Sequence, residues 1–221
     1  KELNLISQDT INYGVDLGIR GGLTSLLRAL VKVPDIRWIR PFYLYPQQVT
    51  DDLLDLYAGE EKITKYIDMP LQHINDRMLK RMHRAAIENL VERIRSRIPG
   101  VTFRTAFIVG FPGETEKAYQ ELKSYVAESG FDRVAAFLYS DEEDTTAVAL
   151  DDKIERSVME ERRNELLAIQ EGIASARGQD RIGSILEVLV EGPSEETPLL
   201  LEGRHEGLAP DLRTGQALGD E

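Results

Sequence analysis

Residues 101–109 read VTFRTAFIV and residues 110–115 read GFPGET, and these two segments give the clearest indication of the fold. The first nine residues are rich in β-branched and aromatic side chains, which predicts a buried strand. The Gly and Pro residues after it predict a turn. Residues 114–129 have the pattern of a helix that ends at Gly130, and residues 133–139 predict the next strand. A strand, a helix and another strand in this order indicate a parallel βα unit.

The same alternation extends towards the N-terminus. We predict strands at residues 3–7, 36–45 and 65–71, and helices at residues 23–31, 51–58 and 76–97, the second of these capped by Thr50. Such a pattern predicts parallel strands joined by right-handed crossovers. Five strands favour a barrel or partial barrel over a complete open sheet. In these folds the carboxyl ends of the strands carry the chemistry.

The C-terminal part of the chain has a different pattern. A charged amphipathic helix is predicted at residues 157–179, and short strands are predicted at residues 185–190 and 199–201. We therefore expect a first domain at residues 1–156, a connecting helix at residues 157–180, and a small all-β domain at residues 181–221.

Composition excludes several functions. The 221 residues contain no Cys, so they provide no disulfide, thiol nucleophile or cluster ligand. The net charge of −12 disfavours a large nucleic-acid interface, which needs clustered Lys and Arg. It suits a basic protein partner, or it serves solubility alone. No apolar run is long enough for a membrane helix and no signal peptide is visible, so we expect a cytoplasmic protein without a membrane partner.

Polar residues lie at the predicted carboxyl ends of the strands. Arg84 could bind a carboxylate near Gln72, or it could be a solvated cation at a helix end. The glycine-rich turn at residues 110–113 could approach a ligand, although most turns of this composition are only turns. His73 and His83 have no third ligand nearby in sequence, so we expect no metal there, with His73 in a polar pocket and His83 on the surface. The acidic run at residues 141–144 predicts a solvated loop.

Five segments in order resemble the radical S-adenosylmethionine methylthiotransferases. They are QDTINYG (8–14), IRPFYLYP (39–46), MPLQHINDRMLKRMHR (69–84), FRTAFIVGFPGET (103–115) and FLYSDEEDT (137–145). In addition, LEVLVEG (186–192) resembles the first strand of their C-terminal TRAM domain.

The resemblance implies an α/β fold, namely a partial TIM-like (βα)6 radical-SAM barrel that lacks its first strand, followed by a small TRAM-like domain that is incomplete. The cofactors implied are S-adenosylmethionine and two [4Fe-4S] clusters in the intact enzyme. The cluster cysteines of the family would precede Lys1, which leaves these residues without a metal site. An incomplete barrel exposes an unpaired strand edge, so we expect the isolated fragment to be unstable or to aggregate.

The resemblance also implies roles for individual residues. The residues that would bind the cofactor are Gln72, Arg84, Gly110, Phe111, Pro112 and Gly113. The residues on the substrate side of the pocket would be Gln8, Asp9, His73 and Tyr139. Glu114 is expected to cap its helix. Ala106 stands where relatives in the tRNA-modifying branch often have an Asp, so any ribose contact of that Asp is absent here. No catalytic residue is expected in the fragment.

Residues 8–10 and 71–74 resemble the branch of the family that acts on a ribosomal protein. This implies methylthiolation of an aspartate β-carbon on ribosomal protein S12, with tRNA disfavoured as a partner. Two alternatives stay open: a methylthiotransferase that acts on a modified adenosine of tRNA, and a non-catalytic fragment that only binds a basic protein.

Overall fold

A computed structural model describes residues 1–210 except 83, 85, 86, 88, 143, 144 and 198. The chain forms two compact units, Lys1–Ile182 and Gly183–Glu221. The surface position expected for His83 and half of the acidic loop at residues 141–144 lie outside the described residues.

The first unit alternates strands and helices. Its strands are β1 (Glu2–Leu5), β2 (Trp38–Pro41), β3 (Tyr66–Asp68), β4 (Thr102–Val109) and β5 (Arg133–Leu138). Its helices are α1 (Gly22–Leu30), α2 (Asp51–Gly59), α3 (Asp76–Arg81), α4 (Leu90–Arg97), α5 (Glu116–Ser129) and α6 (Arg156–Asp180).

All strand pairs of the first unit are parallel. β1 pairs with β2, and β3, β4 and β5 form a second sheet in that order. A parallel bridge between Ile39 and Ile63 links the two sheets, so the five strands follow one another in chain order. The prediction of an α/β fold with parallel strands is therefore confirmed.

The two faces of β4 differ in burial. Phe103, Phe107 and Val109 are fully buried in the main core. Ala106 and Ile108 on the other face are only half-buried, and they pair in register with Ala135 and Phe137 of β5. The side of the sheet away from the core is therefore partly open.

Side-chain caps decide where the helices begin. Thr50 Oγ1 accepts the Leu53 N–H at 3.2 Å at the start of α2, as predicted. At α5 the cap is Thr115, whose Oγ1 accepts the Ala118 N–H at 3.2 Å. The expectation that Glu114 caps this helix is wrong, because Glu114 lies before the cap and its side chain is buried elsewhere.

Two predicted elements are shorter than expected. The helix expected at residues 76–97 is divided into α3 and α4, and Asn89 before α4 has a left-handed backbone with φ +58°. The strand expected at residues 36–45 ends at Pro41 because the chain turns at Tyr43, which has φ +53° and donates its backbone N–H to Asp68.

Helix α6 belongs to the first unit. It packs against β5 and α5, Leu166 is fully buried, and Arg162 and Gln170 are buried as well. Gln170 donates to the backbone oxygens of Phe131 and Asp132 before β5. The structure thus differs from the expected connector at residues 157–180, because this helix completes the core instead of only joining two domains.

The second unit contains an antiparallel hairpin of β6 (Val188–Pro193) and β7 (Leu201–His205). Both strands lie a few residues away from the predicted positions. Arg204 binds Glu191 across the hairpin at 2.8 Å. A TRAM-like domain stays a prediction for this part. In the described part of the chain, no helix combines the length and apolar character that a membrane crossing requires.

Candidate functional site

A cavity of about 260 Å³ opens at the carboxyl ends of β3 and β4. It contains three of the residues predicted to bind a cofactor, Gln72, Arg84 and Phe111. The rest of its lining comes from Arg81, Met82, Ile108 and residues 145–147. The cavity combines a guanidinium, an amide and apolar walls, which is the mixture typical of small-molecule sites.

Gln72 has an unusual backbone. Its φ is +69°, a region that costs free energy for a residue with a side chain. The conformation is held by β4 on both sides: Gln72 N–H donates to Ala106 O at 2.9 Å, and Ile108 N–H donates to Gln72 O at 2.8 Å. Strain of this kind is concentrated at functional sites, which makes Gln72 a candidate binding residue.

Arg84 is held by an aromatic ring. Its guanidinium carbon lies 4.7 Å from the centre of the Tyr45 ring, and its backbone N–H donates to Leu79 O at 2.7 Å. This cation–π contact restricts the position of the guanidinium, whose forked N–H groups can bind a ligand. Such an arrangement suits a carboxylate, which can accept two parallel hydrogen bonds.

The glycine turn is explained by packing within the chain. Gly110 has φ +80°, and a Cβ there would lie 2.3 Å from Met159 Cγ of α6. Gly113 has φ +84°, and a Cβ there would lie 2.5 Å from Asp152 Oδ2. Pro112 is buried. Of residues 110–113, Phe111 is the one that lines the cavity.

His73 and Glu114 are buried behind this turn. His73 Nδ1 accepts the backbone N–H groups of Ile74 at 2.9 Å and Asn75 at 3.0 Å. Nδ1 therefore carries no proton, and Nε2–H faces Glu114 Oε1 at 3.3 Å. His73 was expected on the substrate side of a pocket, but its side chain is fully buried and does not line the cavity.

The other predicted substrate-side residues lie at the same end of the strands but outside the cavity lining. Gln8 is exposed. Asp9 Oδ1 accepts the Ile11 N–H at 3.2 Å, and burial raises the pKa of this carboxyl. The Tyr139 ring packs edge-on against Phe111 with 5.1 Å between centres, and its hydroxyl donates to Asp141 at 2.8 Å. Tyr139 thus supports the wall that Phe111 forms.

A larger cleft of about 630 Å³ lies beside residues 15–24. Apart from Arg20, its described lining has no charged side chain. Converging polar groups indicate a binding site better than volume does, so the smaller cavity is the stronger candidate.

Several residues of the site were missed from the sequence. Tyr45 belongs to the segment at residues 39–46 that carries the resemblance, so a signal was present. Met82, Ile108 and Thr145 also lie in such segments, whereas Thr146 and Ala147 do not. All five line the cavity because distant elements pack there. Among the described residues, no group of three or more His, Asp or Glu could hold a metal ion.

Comparison with known proteins finds relatives that match nearly the whole chain. No protein-family profile matches it. A protein of Syntrophotalea carbinolica called ribosomal protein uS12 methylthiotransferase RimO is 48% identical over 96% of the chain and 48% of its own length. Proteins with the same name from Myxococcus xanthus and Aquifex aeolicus are both 46% identical over 96% of the chain, which covers 45% and 50% of their lengths.

Among solved structures, the radical S-adenosylmethionine methyltransferase TsrM from Kitasatospora setae is 18% identical, with a TM-score of 0.49 over 62% of this chain and 27% of its own. Coproporphyrinogen III oxidase HemN from Escherichia coli is 20% identical, with a TM-score of 0.45 over 71% and 36%. Scores this low do not assign a fold. The chain is similar in sequence to the ribosomal protein uS12 methylthiotransferases RimO, and it spans about half the length of these proteins.

Proposed function

We propose that the protein containing this chain is a radical S-adenosylmethionine methylthiotransferase that modifies an aspartate β-carbon of ribosomal protein uS12. The observation that carries this proposal is the 42–48% identity to eight relatives of that name over 96% of the chain. Five parallel strands in chain order support the finer proposal that residues 1–182 are part of a (βα)6 barrel. On the same resemblance, residues 183–221 are part of a TRAM-like domain.

The cavity is proposed to bind S-adenosylmethionine. Its residues fit this molecule: Arg84 can bind the methionine carboxylate, Gln72 can bond ribose or amino-acid groups, and Phe111 and Ile108 provide apolar surface for adenine. The volume of about 260 Å³ is close to the lower end of the roughly 300–1,000 Å³ of small-molecule sites. When bound, S-adenosylmethionine supplies the methyl group and the radical chemistry of the reaction.

Iron–sulfur clusters do not fit the residues present. Two [4Fe-4S] clusters are proposed for the intact enzyme, but these clusters bind through cysteine thiolates and the 221 residues contain no Cys. We therefore propose that this chain binds and orients S-adenosylmethionine. Gly110, Pro112 and Gly113 shape the turn that carries Phe111, Tyr139 supports that ring, and the open face of the sheet at Ala106 and Ala135 leaves space beside the cavity.

The substrate is proposed to approach from the end of the strands where Gln8 and Asp9 lie. An acidic chain of net charge −12 suits a basic ribosomal protein and disfavours tRNA phosphates. A ribosomal substrate also implies a cytoplasmic location.

The test is deletion of the full-length gene, followed by mass spectrometry of uS12 and of tRNA nucleosides from the same cells. We expect the methylthio group of the uS12 aspartate to disappear and to return when the gene is restored, while tRNA is unchanged. Loss of a tRNA methylthio group instead would support the tRNA enzyme. No change in either would support a non-catalytic binding protein.

A further inference from the structure

A buried carboxylate behind the cavity connects its two polar walls. Glu114 is 3% exposed and bonds to two different turns. Its Oε1 lies 3.3 Å from His73 Nε2, next to Gln72, and its Oε2 accepts the Gly110 N–H at 2.9 Å, next to Phe111. One side chain therefore holds the turn after β3 and the turn after β4, and each of these turns places one lining residue in the cavity.

Helix α6 supplies the counter-charge. Arg162 is 6% exposed, and its guanidinium forms an ion pair with Glu114 Oε2 while also donating to Glu114 O at 3.2 Å. The same guanidinium lies 4.9 Å from the centre of the Tyr119 ring and reaches Glu116 at 3.0 Å. A buried carboxylate without such a partner would be costly, so Arg162 offsets the cost of burying Glu114 between the turns.

The protonation of His73 makes the arrangement specific. Because Nδ1 accepts two backbone N–H groups, Nε2 must donate, and Glu114 must accept from both His73 and Gly110. A carboxylate can accept from several donors at once, whereas an amide offers one accepting oxygen and one donating nitrogen. Arg162 is a third donor to this carboxylate, so a glutamine at position 114 would face at least one of the three donors with an N–H group.

We propose that Glu114, held by Arg162 of α6, is a positioning residue that sets the separation of Gln72 and Phe111 across the cavity. It touches neither ligand nor reacting atoms. The inference rests on the proposed function, namely that the cavity binds S-adenosylmethionine. In addition, α6 determines the affinity for S-adenosylmethionine although this helix lies outside the cavity lining.

The test compares Glu114→Gln with Glu116→Gln in the full-length, cluster-loaded enzyme. Both changes remove one carboxylate that pairs with Arg162, but Glu116 is exposed and contacts neither turn. We expect Glu114→Gln to raise the KM for S-adenosylmethionine about tenfold, which is about 1.4 kcal/mol, and to change kcat at saturation less than about threefold. Glu116→Gln should keep the wild-type KM.

Two further measurements distinguish the positioning role of Glu114 from a purely structural role. Direct binding of S-adenosylmethionine is measured on folded protein, so loss of folded molecules alone would leave the dissociation constant unchanged. Arg162→Lys, which keeps the charge but loses the fork of donors, guards against a failure of Glu114→Gln to fold and should raise the dissociation constant in the same direction. The inference would be overturned if folded Glu114→Gln bound S-adenosylmethionine with wild-type affinity. If Glu114→Gln does not fold, the same result in Arg162→Lys would overturn it. Failure of the wild-type enzyme to bind S-adenosylmethionine would instead overturn the proposed function.

Discussion

At the scale of single residues, Arg84 is the side chain on which the proposed cofactor site depends most. Tyr45 orients it from one side at 4.7 Å, and it lines the cavity opposite apolar surface. A hydrogen bond to a charged group contributes about 1.5–3 kcal/mol, so in the full-length enzyme Arg84→Ala should raise the KM for S-adenosylmethionine about 10- to 100-fold. The control is Arg93→Ala. Arg93 lies on α4, and its guanidinium pairs with Asp51 away from the cavity. Equal KM values for the two variants would refute the role of Arg84.

The burial of Tyr66 predicts that the protein loses stability at alkaline pH. Its ring is fully buried beneath the Arg40 guanidinium, and its hydroxyl has no hydrogen-bond partner among the described residues. Burial raises the pKa of Tyr66 to about 12. Because the folded pKa is above the unfolded value near 10, the protonated phenol favours the folded state fully below pH 10, and this contribution is lost as pH rises from about 10 to about 12.

Tyr66→Phe should therefore remove this part of the pH dependence. At neutral pH the variant should be as stable as wild type or about 1 kcal/mol more stable, since it no longer buries an unpaired hydroxyl. Urea unfolding of the full-length protein at several alkaline pH values measures both effects, with Tyr13→Phe at an exposed position as the control. If wild type and Tyr66→Phe lost stability in parallel above pH 10, the prediction would be wrong.

At the scale of elements, helix α6 was interpreted as a connector because its pattern is charged and amphipathic. Leu166 shows why the structure differs: it is fully buried in the main core, while the adjacent Leu167 is 39% exposed. Leu166→Ala should lower the free energy of unfolding by about 2–5 kcal/mol, the usual cost of such a cavity. Leu167→Ala changes the same atoms at a partly exposed position and should cost much less, on the order of 0.5 kcal/mol. Denaturant unfolding of both variants tests whether α6 is part of the core.

Local patterns predicted the elements better than they predicted the site. The strand expected at residues 101–109 is β4, and the helix that Thr50 was expected to cap is α2, because burial pattern and capping chemistry are local. The ion pair between Glu114 and Arg162 joins residues 48 positions apart, and no local pattern encodes it. The left-handed Gln72 is equally hidden, since β4 imposes that conformation through two backbone hydrogen bonds.

At the scale of the whole chain, the two units differ in how much apolar surface they bury. The first unit has a continuous core formed by one face of the β3–β4–β5 sheet and the helices that cover this face. In the second unit Ile185, Leu199 and Leu201 are 101%, 91% and 70% exposed. A two-stranded hairpin without a buried face is at best marginally stable. The units should therefore differ in local stability.

Hydrogen exchange of these residues within the full-length protein measures this difference directly. Backbone amides of β4 are bonded on both sides to β3 and β5, so they should exchange only through extensive unfolding. Amides of β6 and β7 should exchange at least about 100-fold faster, which corresponds to a difference in opening free energy of about 2.7 kcal/mol. Amides of α6 are the internal reference and should be protected like β4, because this helix packs on β5. Equal protection of β6, β7 and β4 would contradict this prediction. It would show that other residues cover the hairpin, although Leu199 and Leu201 are exposed here.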